Sequence, residues 1–271
     1  MLLKRLVLRA TLYPLGFICL GVQERKYELV KVVATLPCHN DARYLRNAVV
    51  ALKKGLENYE GDYLIVIAED GSTDGSRDLA KKLASGVSNV VHIHEDRKLG
   101  RGRALMNAWE KFDGEIYAYI DCDLATDMSF FPNLIKYIDN GYDLATGSRY
   151  KEGAVCTRPH LRGITSIAYN TIIRLMFKDD IRDHQCGFKA FSRAMVEHIL
   201  KVCRNDDWFW DTEAIVLARR DGFKLVEFPI VWEEKKGERT PLKRLFKDFW
   251  IHGKGIFNLR LRALRIKSTS P

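Results

Sequence analysis

From Lys31 onward, short runs rich in Val, Ile and Tyr alternate with stretches whose apolar residues recur every three or four positions. The runs Val32–Leu36, Tyr63–Ala68, Val90–His94, Ile116–Ile120 and Asp143–Thr146 read as strands. The stretches Ala42–Leu56, Gly75–Leu83, Arg101–Phe112 and Ser129–Ile138 read as helices. Alternation of this kind builds βαβ units. The expected fold class is therefore α/β, a Rossmann-like and mostly parallel sheet with helices on both faces. Ligands of such sheets bind at the carboxyl ends of the strands.

Every one of these strand ends is polar or glycine-rich. The first is followed by Pro37-Cys38-His39-Asn40-Asp41, the second by Glu69-Asp70-Gly71-Ser72-Thr73-Asp74-Gly75 and the third by Lys98-Leu99-Gly100-Arg101-Gly102. The fourth runs into Asp121-Cys122-Asp123 and the fifth into Gly147-Ser148-Arg149. One such loop is ordinary turn chemistry. Five facing one crevice point to a site.

The ends of the chain differ from its middle. Leu6–Val22 is mostly apolar and follows Lys4 and Arg5, with no small-residue cleavage site. It reads as a helix, either at or marginally inserted in a membrane surface or packed on the domain. Beyond Pro241, the residues Leu242, Leu245, Phe246, Phe249, Trp250, Ile256 and Phe257 follow helical spacing, with Lys243, Arg244, Lys247 and Lys254 between them. A basic amphipathic helix rich in Phe and Trp reads as an interfacial membrane binder, or else as a helix docked on the domain. The expected organisation is a membrane-associated segment over 1–30, a catalytic domain over 31–235 and a basic tail over 236–271.

Charge sharpens this division. The chain has 271 residues, is 46% hydrophobic and carries a net +9, a composition that excludes a disordered or collagen-like protein. From Lys235 to Pro271 there are eleven Lys and Arg against two acidic residues, whereas Val32–Glu234 is mildly acidic. A charge block at one end suggests an anionic surface as partner. Carboxylates at the strand ends would repel a phosphate backbone, which argues against nucleic acid. The six cysteines form no CxxC pair and read as reduced thiols of a cytosolic compartment.

Asp121 and Asp123 lie two apart, so on a strand both carboxylates point the same way. Like charges this close raise each other's pKa, and a divalent cation relieves the conflict. Mg²⁺ typically takes one or two carboxylates plus substrate phosphates; the alternative is a solvated strand end or helix cap. Asp70 could accept hydrogen bonds from a nucleobase or ribose, or the Glu69–Asp74 run could be a turn in which Asp74 caps the next helix. Lys98-Leu99-Gly100-Arg101 puts glycines and cations at a helix start, an anion site or a basic turn. Downstream, Asp183-His184-Gln185-Cys186-Gly187-Phe188-Lys189 precedes Trp208-Phe209-Trp210-Asp211-Thr212-Glu213. The aromatics there could wall a sugar ring or edge the core, and the lone His184 reads as structural.

Taken together these residues resemble the inverting family 2 glycosyltransferases of GT-A fold, over about residues 31 to 235. Pro37–Asp41 looks like that family's PxxNE-type opening, Glu69–Asp74 like its DDGSxD nucleotide loop, and Asp121-Cys122-Asp123 like its DxD metal motif. A closer likeness is to the dolichyl-phosphate glucosyltransferases and mannosyltransferases. Asp121-Cys122-Asp123-Leu124-Ala125-Thr126 resembles the glucosyl DADGAT run, and Asp183–Lys189 its DxQCGFK motif. Trp210-Asp211-Thr212-Glu213 and Val231-Trp232-Glu233-Glu234 resemble its FDxE and VxWxE segments. Glu69 departs from the usual Asp, and Gly237-Glu238-Arg239 stands where a GSK-like run is usual.

The resemblance implies inverting transfer of a hexose, glucose before mannose, from UDP-glucose or GDP-mannose to a polyprenyl (dolichyl) monophosphate at the cytoplasmic face of a membrane. Mg²⁺ or Mn²⁺ would sit on Asp121 and Asp123, which with Arg149 form the implied catalytic set. The implied nucleotide-sugar residues are Pro37, Asn40, Asp41, Glu69, Asp70, Gly71, Ser72, Lys98, Gly100, Arg101, Asp121 and Cys122. The implied acceptor residues are Ser148, Arg149, Arg162, Ser166, Gln185, Lys189, Asp211, Glu213 and Arg239. A phosphate acceptor is already a dianionic nucleophile near neutral pH and needs no protein base. The alternative is a hydroxyl acceptor on a glycan, glycolipid or protein, with Asp211 or Glu213 as candidate base.

Overall fold

The computed structural model describes residues 8–12, 18–22, 29–235 and 253–262. At the amino end, β1 (Leu8–Leu12) and β2 (Ile18–Val22) pair antiparallel, Leu8 opposite Val22. The helix expected over Leu6–Val22 is therefore not formed. Pro14 lies in its middle, where it would remove a helical hydrogen bond and clash with the preceding turn.

The central sheet has seven strands: β3 (Val30–Cys38), β4 (Tyr63–Asp70), β5 (Val90–Glu95), β6 (Gly114–Ile120), β7 (Leu144–Ser148), β9 (Phe188–Ser192) and β10 (Leu225–Pro229). Their order across the sheet is β10-β7-β9-β6-β3-β4-β5. All run parallel except β9, which lies antiparallel between β6 and β7. A two-stranded parallel sheet, β8 (Val155–Thr157) with β11 (Val231–Glu233), stands beside it. The helices are α1 (Ala42–Leu56), α2 (Ser76–Ser85), α3 (Arg101–Lys111), α4 (Phe131–Asp139), α5 (His160–Phe177), α6 (Arg193–Val202) and α7 (Trp210–Arg220).

Alternation along β3 shows how the sheet divides the core. Val32, Ala34 and Leu36 pack on one face with α1 and α4, while Val33 packs on the other with α3, α6 and α7. Thr35, on that second face, is wholly buried and accepts a 3.1 Å hydrogen bond from Trp109 Nε1, which removes the cost of its hydroxyl. Trp109 in turn packs its ring against Tyr117, Tyr119, Phe191 and Trp210.

The chain runs β3, β4, β5 to one edge and then returns to place β6 on the other side of β3. The loops after β3 and β6 thus leave in opposite directions and open a crevice between them, the usual ligand position in open α/β sheets. Those loops carry Asn40-Asp41 and Asp121-Cys122-Asp123. A single antiparallel bridge, Thr126 to Trp232, ties the second loop to β11.

Among the described residues, no helix is long and apolar enough to cross a membrane. Residues 236–252, with most of the amphipathic pattern of the tail and Arg239, lie outside the described residues. Residues 253–262 are helical and rest on the domain. Leu259 is buried, and a Cβ on Gly255 would strike the Phe209 ring at 2.6 Å. Arg260 donates to the Met176 carbonyl, and Arg262 to the Val202 carbonyl and to Glu213. For this stretch the docked reading of the tail holds.

Candidate active site

The nucleotide side of the crevice is braced by side-chain-to-backbone hydrogen bonds. Asn40, in a left-handed backbone conformation (φ 61°), accepts from the Thr73 amide at 2.7 Å, and its own amide donates to Ser72 Oγ. Asp74 accepts from the amide of Ser76, at the start of α2, and from that of Ala42, at the start of α1. Gly75 rather than Asp74 holds the cap position of α2, so Asp74 braces the starts of both helices from one residue further out. Asp41 accepts from the His39 amide. Burial raises its carboxyl above the usual value, the His39 amide opposes this, and Asp121 and Asp74 add to it.

Asp70 is buried and accepts from the amides of Leu99 at 2.7 Å and Gly100 at 2.9 Å. It shapes the Lys98–Arg101 loop from below. Gly71 (φ 63°) must be glycine, since a Cβ would lie 2.4 Å from the Lys98 nitrogen. Lys98 itself is exposed at the loop surface. Glu69 accepts from the Ser72 amide and pairs with His94. Cys122 donates its thiol to the Pro37 carbonyl at 3.4 Å.

At the floor, a buried charge cluster joins four elements. Arg101 stands at the start of α3 with Nη2 3.3 Å from Asp121 Oδ1 and 3.6 Å from Asp211 Oδ2. It lies over the rings of Trp208, at 4.7 Å, and Tyr119, at 5.0 Å. Lys189 on β9, fully buried, sits 3.0 Å from Asp211 Oδ1 and donates to the His184 and Cys186 carbonyls. Tyr119 donates to Asp211. Burial raises the Asp121 carboxyl, Asp211 reinforces this, and Arg101, Lys189 and Arg149 pull it back. Asp121 and Asp123 line one small cavity with Gly187, Leu124, Thr126 and Trp232. Asp123 also accepts from the Ala125 amide at 3.0 Å, and Leu124 between them takes a left-handed φ of 52°.

The opposite lip is cationic. Arg149, directly after β7, is held by Asp183 through Nε and Nη2, both at 2.7 Å, with its backbone amide on the same carboxylate. Its guanidinium lies 5.4 Å from the centre of the Trp232 ring, and that of Arg158 lies 5.2 Å from it. Arg158 donates to Tyr150 Oη and, at 3.4 Å, to Ser166 Oγ. Arg162 pairs with Glu234.

The expected acceptor residues separate into two groups. Arg149, Arg162 and Ser166 gather at the cationic lip, while Gln185 donates to Thr212 Oγ1 beneath it. Ser148 is buried and accepts from the Tyr150 and Lys151 amides. Lys189 and Asp211 form the floor. Glu213 is not brought to the crevice: two positions along α7 is over half a turn. Its carboxylate accepts from the amides of Arg204 and Asn205 and from Arg262. His184 is structural as expected, fully buried between Asn170 and Asp179.

Trp208, one of the aromatics expected to wall a sugar or edge the core, lies under Arg101, while Arg158, Tyr119 and Trp232 join the site without having been singled out as its members. Trp232 had a sequence signal, its place in a VxWxE-like segment. Tyr119 had none, because a strand interior conceals which of its residues reaches a neighbouring helix.

Residues 34–200 match the family model for Glycosyl transferase family 2. The chain belongs to that family. Among curated family members it is similar to Glycosyltransferase AglD of Haloferax volcanii, 42% identical over 218 residues, covering 79% of this chain and 35% of that protein. A dolichyl-phosphate beta-glucosyltransferase of Trichomonas vaginalis is 31% identical over 188 residues, covering 68% of this chain and 58% of that one. That of Saccharomyces cerevisiae is 26% identical over 265 residues, covering 85% and 79%. The chain thus spans about a third of the AglD protein and under three fifths of the Trichomonas relative.

Among solved family 2-like folds, glucosyl-3-phosphoglycerate synthase of Mycobacterium tuberculosis, in complex with Mn²⁺, UDP-glucose and phosphoglyceric acid, gives a TM-score of 0.64 at 16% identity, covering 85% of this chain and 80% of that one. The mannosyltransferase PcManGT of Pyrobaculum calidifontis, in complex with GDP-Man and Mn²⁺, gives 0.54 at 16% identity, covering 79% and 59%. These likenesses establish the GT-A-type fold.

Proposed function

We propose that this family 2 domain transfers a hexose, glucose in preference to mannose, from a nucleotide sugar to a polyprenyl monophosphate with inversion at the anomeric carbon. The observation that carries the reading is the pairing of two unlike lips on one crevice, carboxylates at Asp121 and Asp123 facing a cationic wall of Arg149 and Arg158 around Trp232.

Asp121 and Asp123 fit a divalent cation: they offer hard oxygen donors on one cavity, and Gly187 keeps room beside Asp121 that a Cβ would fill. When bound, Mg²⁺ or Mn²⁺ supplies Lewis-acid stabilisation of the departing nucleoside diphosphate. In this reading Asn40 and Asp41 would hold the nucleoside, and Lys98, exposed on the loop before α3, would meet the donor phosphates. Arg149, fixed by Asp183 through two nitrogens, presents its Nη1 edge to an acceptor phosphate oxygen. That oxygen attacks the anomeric carbon, the bond to the diphosphate breaks, and no proton is transferred. Asp211 and Glu213 support this reading, since the first is locked under Arg101, Lys189 and Tyr119 and the second faces the docked tail.

A lipid acceptor requires the crevice to meet a membrane. Helix α5 begins between Arg158 and Arg162 and turns Ile164, Ile167, Ile172 and Leu175 outward, Leu175 with 77% of its surface exposed. Phe257 and Leu261 of the docked tail helix are likewise exposed. An apolar stripe bordered by Arg174, Lys178 and Lys254 suits the surface of an anionic cytoplasmic leaflet. Incubation with labelled UDP-glucose or GDP-mannose, Mg²⁺ or Mn²⁺, and polyprenyl phosphate in detergent tests the donor side. Metal-dependent label in the lipid phase, greater from UDP-glucose, is the expected result; label from neither donor overturns it.

A further inference from the structure

We infer that Glu69, His92 and His94 form a second metal site, for a transition-metal dication such as Zn²⁺, on the far edge of the sheet from the acceptor lip. The three residues lie on the neighbouring parallel strands β4 and β5, where Glu69 stands opposite His94 and Ile67 opposite His92. His92 and His94, two apart, share the face of Glu69. One ligand atom from each of the three lies within 4.8 Å of the others. Two imidazoles and a carboxylate are a sufficient set for zinc with one position left open, and imidazole also suits Ni²⁺ and Cu²⁺.

A second observation separates this cluster from a simple ion pair. The Glu69–His94 contact satisfies Glu69, but His92 Nε2 is buried with no hydrogen-bond partner. A buried ring nitrogen without a partner loses free energy, and a metal bond would recover it. His94 Nε2 is held by Asp96, the outer carboxylate that commonly orients a ligating imidazole. The other oxygen of Glu69 accepts from the Ser72 amide, and the adjacent Asp70 shapes the Lys98–Gly100 loop. Occupancy would therefore tie the sheet edge to the loops on the nucleotide side.

The test uses untagged protein carrying Asp121→Asn and Asp123→Asn, so that the catalytic carboxylates contribute no binding, with Co²⁺ or Zn²⁺ alone as probe. One equivalent of Co²⁺ is expected to bind with visible ligand-field absorption and no thiolate charge-transfer band, and Zn²⁺ is expected to displace it. His92→Ala and, separately, His94→Gln each lower the affinity about tenfold or more while far-ultraviolet circular dichroism stays unchanged. Binding that survives both substitutions overturns the site. So does an absence of binding, or a thiolate band, which would place the metal on Cys38 and Cys122 instead.

Discussion

Gly187 leaves the space that Asp121 occupies: a Cβ built at Gly187 would lie 1.9 Å from Asp121 Oδ2 and 2.2 Å from its Cγ. The same glycine accepts the Asp121 amide through its carbonyl at 3.0 Å. Backbone contact fixes where Asp121 begins, and the missing side chain lets its carboxylate reach the cavity. Gly187→Ala must therefore move the carboxylate rather than unfold the strand. Misplacement of a reacting group by about 1 Å can cost about a hundredfold in rate. A loss of that order in kcat, with unchanged circular dichroism, is expected; near-wild-type turnover would detach Asp121 from catalysis.

Asp183 and Arg149 form a buried, two-point ion pair. Burial alone would raise the Asp183 carboxyl, but Arg149 outweighs it and holds it below the usual 3.8. A carboxyl depressed in the folded state contributes stability that is complete above its ordinary pKa and lost as pH falls below it. Asp183→Asn leaves Arg149 buried and unpaired, a change that costs about 3–5 kcal/mol. Urea midpoints at neutral pH should fall accordingly. Below about pH 4 the gap between variant and wild type should narrow, because the unfolded carboxyl takes up a proton while the native one, held lower by Arg149, stays ionised.

Ile164→Asp with Leu175→Asp changes two exposed positions of α5 and touches neither lip. Thermal stability and donor binding are expected to be unchanged. Co-sedimentation with vesicles containing anionic lipid should fall severalfold, and transfer to a membrane-borne acceptor with it. Unaltered vesicle binding would remove α5 from the membrane contact.

Glu213→Gln should leave the pH profile of kcat/KM unchanged, because its carboxylate faces the tail helix rather than the crevice. The expected effect is instead faster proteolysis of the tail, from loss of the Arg262 contact. Disappearance of one limb of the pH profile would restore Glu213 as a base.

Five of the seven central strands were legible as short apolar runs between helices of clean 3.6-residue period, whereas β9 and β10, short and interrupted by Lys189 and Glu227, were not among the expected strands. The five strand-end loops followed from that register, and so did the placement of Asp121, Asp123 and Arg149. What the sequence concealed was the direction in which buried polar groups point. Asp70 reads as a ligand-facing acid, yet it spends both oxygens on the Leu99 and Gly100 amides. Asp211 and Glu213 look like a pair, but helical geometry sends them to opposite sides of α7. At the amino end, the mean apolarity of Leu6–Val22 suggested a helix, and Pro14 with its flanking strand-formers decided otherwise.

In the proposed reaction the acceptor is a phosphate gripped by Arg149 and Arg158, and no protein base is used. The most direct measurement compares polyprenyl phosphate with the corresponding free polyprenol as acceptors, using one labelled nucleotide sugar and metal, in wild type and in Arg149→Lys. Transfer to the phosphate alone is expected, with a raised acceptor KM in Arg149→Lys because an ammonium lacks the guanidinium's fork. Transfer to the free polyprenol at a comparable rate, insensitive to Arg149→Lys, would contradict it.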